Sequence, residues 1–116
     1  MAYGSFEDLE VWKRACRLAV KVYDVLSNCN DFGLKDQMTR AAVSVASNIA
    51  EGAERNTAPE FIRFLHIAKG SAAELRTQFY IADKIKIINH DEAAKMVDEL
   101  KELSSMLQGL INHLKT

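Results

Sequence analysis

Proline and glycine are scarce. The chain has one Pro (Pro59) and five Gly in 116 residues, against about 12% for the two together in an ordinary domain. Sheets need many turns, and turns draw on Gly, Pro, Asn and Asp, so the shortage favours a few long helices. Neither sign of charge dominates: 15 Lys+Arg face 16 Asp+Glu, a formal net charge of −1. A dedicated polyanion binder acting as a monomer is usually clearly basic. No apolar run approaches the roughly 18 residues that span a bilayer. The two cysteines, Cys16 and Cys29, match neither a zinc nor a thioredoxin spacing and read as small buried side chains.

Several chemistries are missing as well. Di-iron bundles need Glu-x-x-His on two helices. The residues three before His66, His90 and His113 are Arg63, Ile87 and Leu110. No His-x-x-x-His pair, Walker loop or Gly-x-Gly-x-x-Gly occurs. Ser44, Ser47 and Ser71 have no histidine base identifiable in the sequence. The expectation is a protein that is not an enzyme and carries neither metal nor cofactor. The stretch Met1-Ala2-Tyr3-Gly4-Ser5-Phe6-Glu7-Asp8 has no basic segment leading into an apolar one, so no secretory signal is expected and the cytoplasm is the default compartment.

What is present is ordinary in amount: 48% hydrophobic and 27% charged residues. One domain over residues 1–116 is expected, able to bury about two-thirds of its unfolded surface. Four helical segments can be read. The first opens at Ser5, with Asp8 as the capping acid, and runs to about Ser27. The second follows Asn30-Asp31-Phe32-Gly33, from Leu34 to about Ala53. The third opens on the capping box of Thr57 and Glu60, with Pro59 in its first turn, and continues to about Ile88. The fourth opens on Asn89-His90-Asp91-Glu92 and runs almost to Thr116. Short linkers make successive helices antiparallel neighbours. The expected fold is an all-α, antiparallel up-and-down four-helix bundle.

The apolar spacing supports it. Helix 1 has Leu9, Trp12, Cys16, Ala19, Tyr23 and Leu26 in steps of three and four. Helices 3 and 4 carry similar seams, Phe61 to Ala82 and Ala93 to Leu114. Helix 1 has a second seam: Val11, Ala15, Leu18, Val22 and Val25. The two seams span about 200° at 100° per residue, whereas a surface helix needs an arc of about 100°. The surplus predicts a second buried contact, and with it assembly into a symmetric oligomer.

Helix 2 has a face of small residues, Ala41, Ala42, Val45, Ala46, Ile49, Ala50 and Ala53. Beside it runs a polar stripe: Gln37, Arg40, Ser44, Asn48, Glu51 and Arg55. The six fall within about 80° of a helical wheel. Glu51 lies four residues before Arg55, the favourable order for an ion pair. On helix 3, Ile67, Ser71, Glu74, Gln78 and Ile85 share one flank, and Ser71 and Glu74 are placed to meet the stripe. Three readings stay open: a solvated charged face, a hydrogen-bonded network inside the bundle or between subunits, and a ligand or catalytic site lined by Glu51, Glu74 and Arg55.

Nucleic-acid binding has one candidate surface. Helix 1 carries Lys13, Arg14, Arg17 and Lys21 on its narrow polar face, bounded by Glu10 and Asp24. An ion-paired solvated face is one reading. In a symmetric oligomer the same cluster repeats around a ring, and phosphate affinity grows with the number of contacts. No basic strand interleaved with aromatics is present, which excludes base-stacking modules of the RNA-recognition and OB types.

The chain also carries a likeness. Phe6-x-Asp8-Leu9-x-Val11-Trp12-x-x-Ala15 opens it. Asp36-Gln37-x-x-Arg40-Ala41-Ala42-Val43-Ser44 leads to Ser47-Asn48-Ile49-Ala50-Glu51-Gly52-x-x-Arg55. Glu60-Phe61-x-x-Phe64-Leu65-x-Ile67-Ala68-Lys69-Gly70-Ser71 and Ala73-Glu74-Leu75-x-x-Gln78 follow. Over residues 6 to about 88 this resembles the small four-helix-bundle family encoded in intervening sequences of bacterial 23S ribosomal RNA genes. The resemblance implies a homopentameric barrel. It also implies kinship with the accessory protein of diversity-generating retroelements, a basic pentamer that binds nucleic acid and associates with a reverse transcriptase. RNA or DNA, and a reverse transcriptase or other protein, are the partners it suggests. It brings no catalytic residues. Its matched polar positions are Arg40, Ser44, Asn48, Glu51, Arg55, Ser71 and Glu74, which coincide with the stripe and its partner row.

Overall fold

In the computed structural model, residues 4–116 are described, and the opening Met1-Ala2-Tyr3 of the stretch read for a signal lies outside them. A 3-10 turn, Phe6–Asp8, precedes four helices: α1 (Glu10–Val25), α2 (Phe32–Glu54), α3 (Ala58–Lys84) and α4 (His90–Lys115). No strand occurs among the described residues. The bundle measures 44 × 19 × 19 Å, as expected for a 27-residue helix rising about 1.5 Å per residue.

The first helix starts later than its capping signal predicts. Ser5 N–H does donate to Asp8 Oδ2 at 3.2 Å, but the turn it closes ends at Leu9, whose extended ψ of 123° breaks the helix. The break lets Phe6 fold back onto Trp12, ring centroids 5.2 Å apart at 73°. In a continuous helix, residues six apart point about 120° away from one another. The second helix begins two residues early, because Asp31 is its cap and accepts from Leu34 N–H at 3.1 Å. In the third, Thr57 Oγ1 accepts from Glu60 N–H at 3.3 Å. The Glu60 carboxylate instead takes both arms of Arg63, at 3.1 and 3.3 Å, and the hydrogen bond lowers its pKa from the ordinary carboxylate value. Asn89 caps α4, accepting from Asp91 and Glu92 N–H at 2.8 and 3.2 Å.

The third helix stops at Lys84, short of Ile88. Lys86 sits in the left-handed region at φ 62°. Its N–H bonds to Asp83 C=O at 3.1 Å, and Ile87 N–H reaches back to Ala82 C=O at 2.9 Å. This is a Schellman termination built on lysine rather than glycine, which is why the sequence carries no stop signal there. Ile87 and Ile88 then pack against the core.

The core is continuous along the bundle, with Leu18, Leu26, Met38, Ile49, Phe61, Leu65, Leu75, Phe79, Leu100, Leu103, Leu107 and Ile111 fully buried. Of the two seams of α1, the second faces the core. Val11, Ala15, Leu18 and Val22 face the core, while Trp12, Cys16 and Ala19 are half-buried and Tyr23 is exposed. The small residues of α2 allow close approach of α3. At Gly52 a Cβ would lie 2.6 Å from Phe64 Cβ and 3.0 Å from Phe61 Cδ1. Glycine is required here by proximity, not by its dihedral freedom.

Candidate functional site

The polar stripe on α2 divides into two parts. Ser44, Asn48 and Ser71 form a half-buried cluster where α2 meets α3. The Ser44 and Ser71 hydroxyls are 3.0 Å apart. Asn48 Nδ2 donates to Ser44 Oγ at 2.9 Å and to Ser44 C=O at 2.8 Å. These three residues satisfy one another and tie the two helices together, as a partly buried polar group requires.

The other members lie on the surface. Gln37, Glu51 and Glu74 are exposed. Arg40 is exposed and pairs within its own helix with Asp36, Nε to Oδ2 at 2.9 Å. Glu51 and Arg55 do not form the ion pair that their spacing suggests. Arg55 instead lies over the Phe64 ring, 5.0 Å from its centroid, alongside Arg63 at 4.6 Å. Proximity to a π-face at the helix end replaces the charge partner. A shallow depression of about 280 Å³ gathers Gln37, Arg40, Ser44 and Glu74, but Glu51 and Arg55 do not line it. No group of three or more His, Cys, Asp or Glu placed to hold a metal occurs among the described residues.

On the same flank of α3, Gln78 is buried and its Oε1 has no hydrogen-bond partner among the described residues. Along that flank the half-buried Ser71 and the exposed Glu74 separate one open isoleucine from two others. Ile67, Ile81 and Ile85 are 41%, 47% and 55% exposed. Sequence spacing placed Ile67, Gln78 and Ile85 on this flank; it gave no sign that Gln78 would be buried beside uncovered isoleucines.

A second apolar face lies between α1 and α2. Phe6, Trp12, Cys16 and Ala19 from one side meet Val43, Ala46 and Ala50 from the other, around an open groove of about 400 Å³. Apolar surface continues beyond it, with Tyr23 51%, Val20 63% and Val43 44% exposed. Burial among these side chains pushes the Cys16 thiol above its usual value, so the thiolate is disfavoured there. The exposed part of the polar stripe separates this face from the isoleucine flank.

The basic cluster on α1 is brought against the acidic face of α4. Arg14 Nε donates to Glu99 Oε1 at 2.9 Å and its Nη2 to Glu99 Oε2 at 3.3 Å. A second carboxylate, Glu102, accepts from Arg14 Nη1 at 2.9 Å. Hydrogen bonding to Arg14 holds Glu99 below the usual carboxylate range and raises Arg14 in turn. Arg14 is thus a clamp between helices rather than a free cation. Lys13 pairs loosely with Glu10 at 3.7 Å. Arg17 and Lys21 are exposed and form no ion pair among the described residues.

The comparisons with known proteins agree on the architecture. The family model described as 23S rRNA-intervening sequence protein matches residues 7–109. A crystal structure of a protein of unknown function from the S23 ribosomal protein family of Bacteroides thetaiotaomicron superposes with a TM-score of 0.81. It shares 23% identity and covers 87% of this chain and 97% of that one. At that identity the likeness speaks for the fold alone. No curated protein matches.

Proposed function

We propose that this chain, which belongs to the 23S rRNA-intervening sequence protein family, is the subunit of a homo-oligomeric, non-enzymatic helical scaffold. One observation carries the reading: the bundle leaves two different apolar faces uncovered, on opposite sides of the polar stripe. Scattered surface hydrophobics need no explanation, but contiguous apolar patches mark contact sites. Two unlike faces on one subunit favour a head-to-tail contact, and such contacts close into rings. The number five comes from the family resemblance.

Val43→Lys and Ile81→Lys each spoil one face at an exposed position. Each variant alone is expected to run as a monomer. Mixed in equal amounts they retain one intact pair of faces and form a two-chain complex. A mixture that stays monomeric contradicts the head-to-tail reading, as does either variant assembling normally.

A second reading adds RNA or DNA as cargo, and the exposure of Arg17 and Lys21 favours it. A ring repeats these cations once per subunit, and affinity then falls steeply with salt. Gel shifts with structured RNA and with DNA at about 50 mM salt test it. Absence of binding there removes nucleic acid and leaves the scaffold, with a protein such as a reverse transcriptase as the partner the resemblance suggests.

A further inference from the structure

Helices α1 and α4 are the neighbouring pair that pack least against each other. Between them runs an open groove of about 480 Å³. Its surface is mostly apolar, and Val25, Met96, Lys21 and Lys95 are among the residues that line it. Its charge is not balanced. Asp24 from α1 and Glu92, Asp98, Glu99 and Glu102 from α4 stand around it, against those two lysines. Arg14 occupies Glu99 and Glu102 at one end. Asp24, Glu92 and Asp98 form no ion pair among the described residues.

We infer that this groove docks a cationic amphipathic segment of a protein partner. Its apolar side chains would seat on Met96 and Val25, and its Lys or Arg side chains would meet Asp24, Glu92 and Asp98. The mode is helix-in-groove recognition, in which apolar anchors supply affinity and flanking charge selects the partner. The excess of carboxylates disfavours nucleic acid at this groove, and the groove lies on the other flank of α1 from Trp12 and Cys16. The proposal therefore stands apart from the assembly faces, and meets the RNA reading only at Lys21, which lines the groove.

The test uses the full chain and a fluorescent helical peptide of about 18 residues, with leucines on one face and lysines on the other. A second peptide has the same composition with the order scrambled. Glu92→Lys/Asp98→Lys reverses two exposed charges outside the Arg14 clamp, and thermal melting checks that the variant is folded. The expected result is anisotropy-detected binding of the amphipathic peptide, weakened at least about tenfold by the double reversal. The scrambled peptide is expected to bind at least about tenfold more weakly than the ordered one. Equal affinity for the two peptides, equal affinity of wild type and variant, or no binding at about 100 µM overturns the proposal. A change in assembly mass on charge reversal also overturns it, by assigning the groove to a subunit contact. Failure of the scaffold reading appears in the mass alone and leaves peptide affinity unchanged.

Discussion

Arg14 on α1 and Glu99 on α4 are joined by two parallel contacts, Nε to Oε1 at 2.9 Å and Nη2 to Oε2 at 3.3 Å. They lie 85 positions apart in the chain and bridge the helix pair that packs least closely. Fork-to-fork geometry makes this stronger than an ordinary surface pair. It also commits one of the four basic residues of that cluster to carboxylates of α4.

Arg14→Ala is expected to destabilise the fold by about 1–2 kcal/mol. The figure is that of a charge-assisted hydrogen bond, reduced because the Glu102 arm is open to solvent. Urea denaturation against wild type measures it. A loss within about 0.5 kcal/mol would show that the clamp contributes no more than a typical surface position.

The same contact sets a pH dependence. Arg14 lowers the folded-state pKa of Glu99 below its unfolded value, so the folded state binds fewer protons there. Stability from this group is fully present above the ordinary carboxylate range, near about pH 4.3, and is lost as pH falls through the lowered folded value. The stability gap between wild type and Glu99→Gln should therefore narrow on acidification from about pH 7 to about pH 3. A gap that holds constant across that range argues against the linkage.

Gly52→Ala should cost about 1–3 kcal/mol, the range for overpacking a tight contact. The added Cβ meets Phe64 Cβ, which moves only with its helix, and the ring of the buried Phe61. Thermal unfolding of the variant checks this. An unchanged midpoint would mean that α2 and α3 separate at no cost.

Lys86→Gly runs the other way. Lysine at φ 62° bears strain that glycine does not, and the hydrogen bonds of the turn are backbone ones that glycine keeps. A stabilisation of about 0.5–1 kcal/mol is expected, after allowing for the larger unfolded-state entropy of glycine. Denaturant midpoints at matched slope decide it, and a loss of stability would contradict the strain argument.

The caps at Thr57 and Asn89 could be read from sequence because each depends on residues within a few positions. The end of α3 could not: a lysine in a left-handed turn leaves no Gly or Pro behind. The two seams of α1 were visible, but spacing alone could not say which faces the core. That choice depends on how Phe6 folds back onto Trp12, and on which flank the small residues of α2 let α1 approach. The polar stripe was visible as a row. Only the neighbour helix decided that Ser44 and Asn48 turn inward to Ser71, while Arg40 pairs with Asp36 and Arg55 stacks on Phe64. Similarly, a cluster of Lys and Arg on α1 gave no sign that α4 would present Glu99 and Glu102 to it.

Light scattering of the purified protein at micromolar concentration tests the central claim most directly. A subunit of 13.0 kDa assembled through two unlike faces into a five-membered ring has a mass of about 65 kDa. That value, stable on dilution, is the result predicted. A mass of 13 kDa would contradict the account, because both apolar faces would then stand open to water.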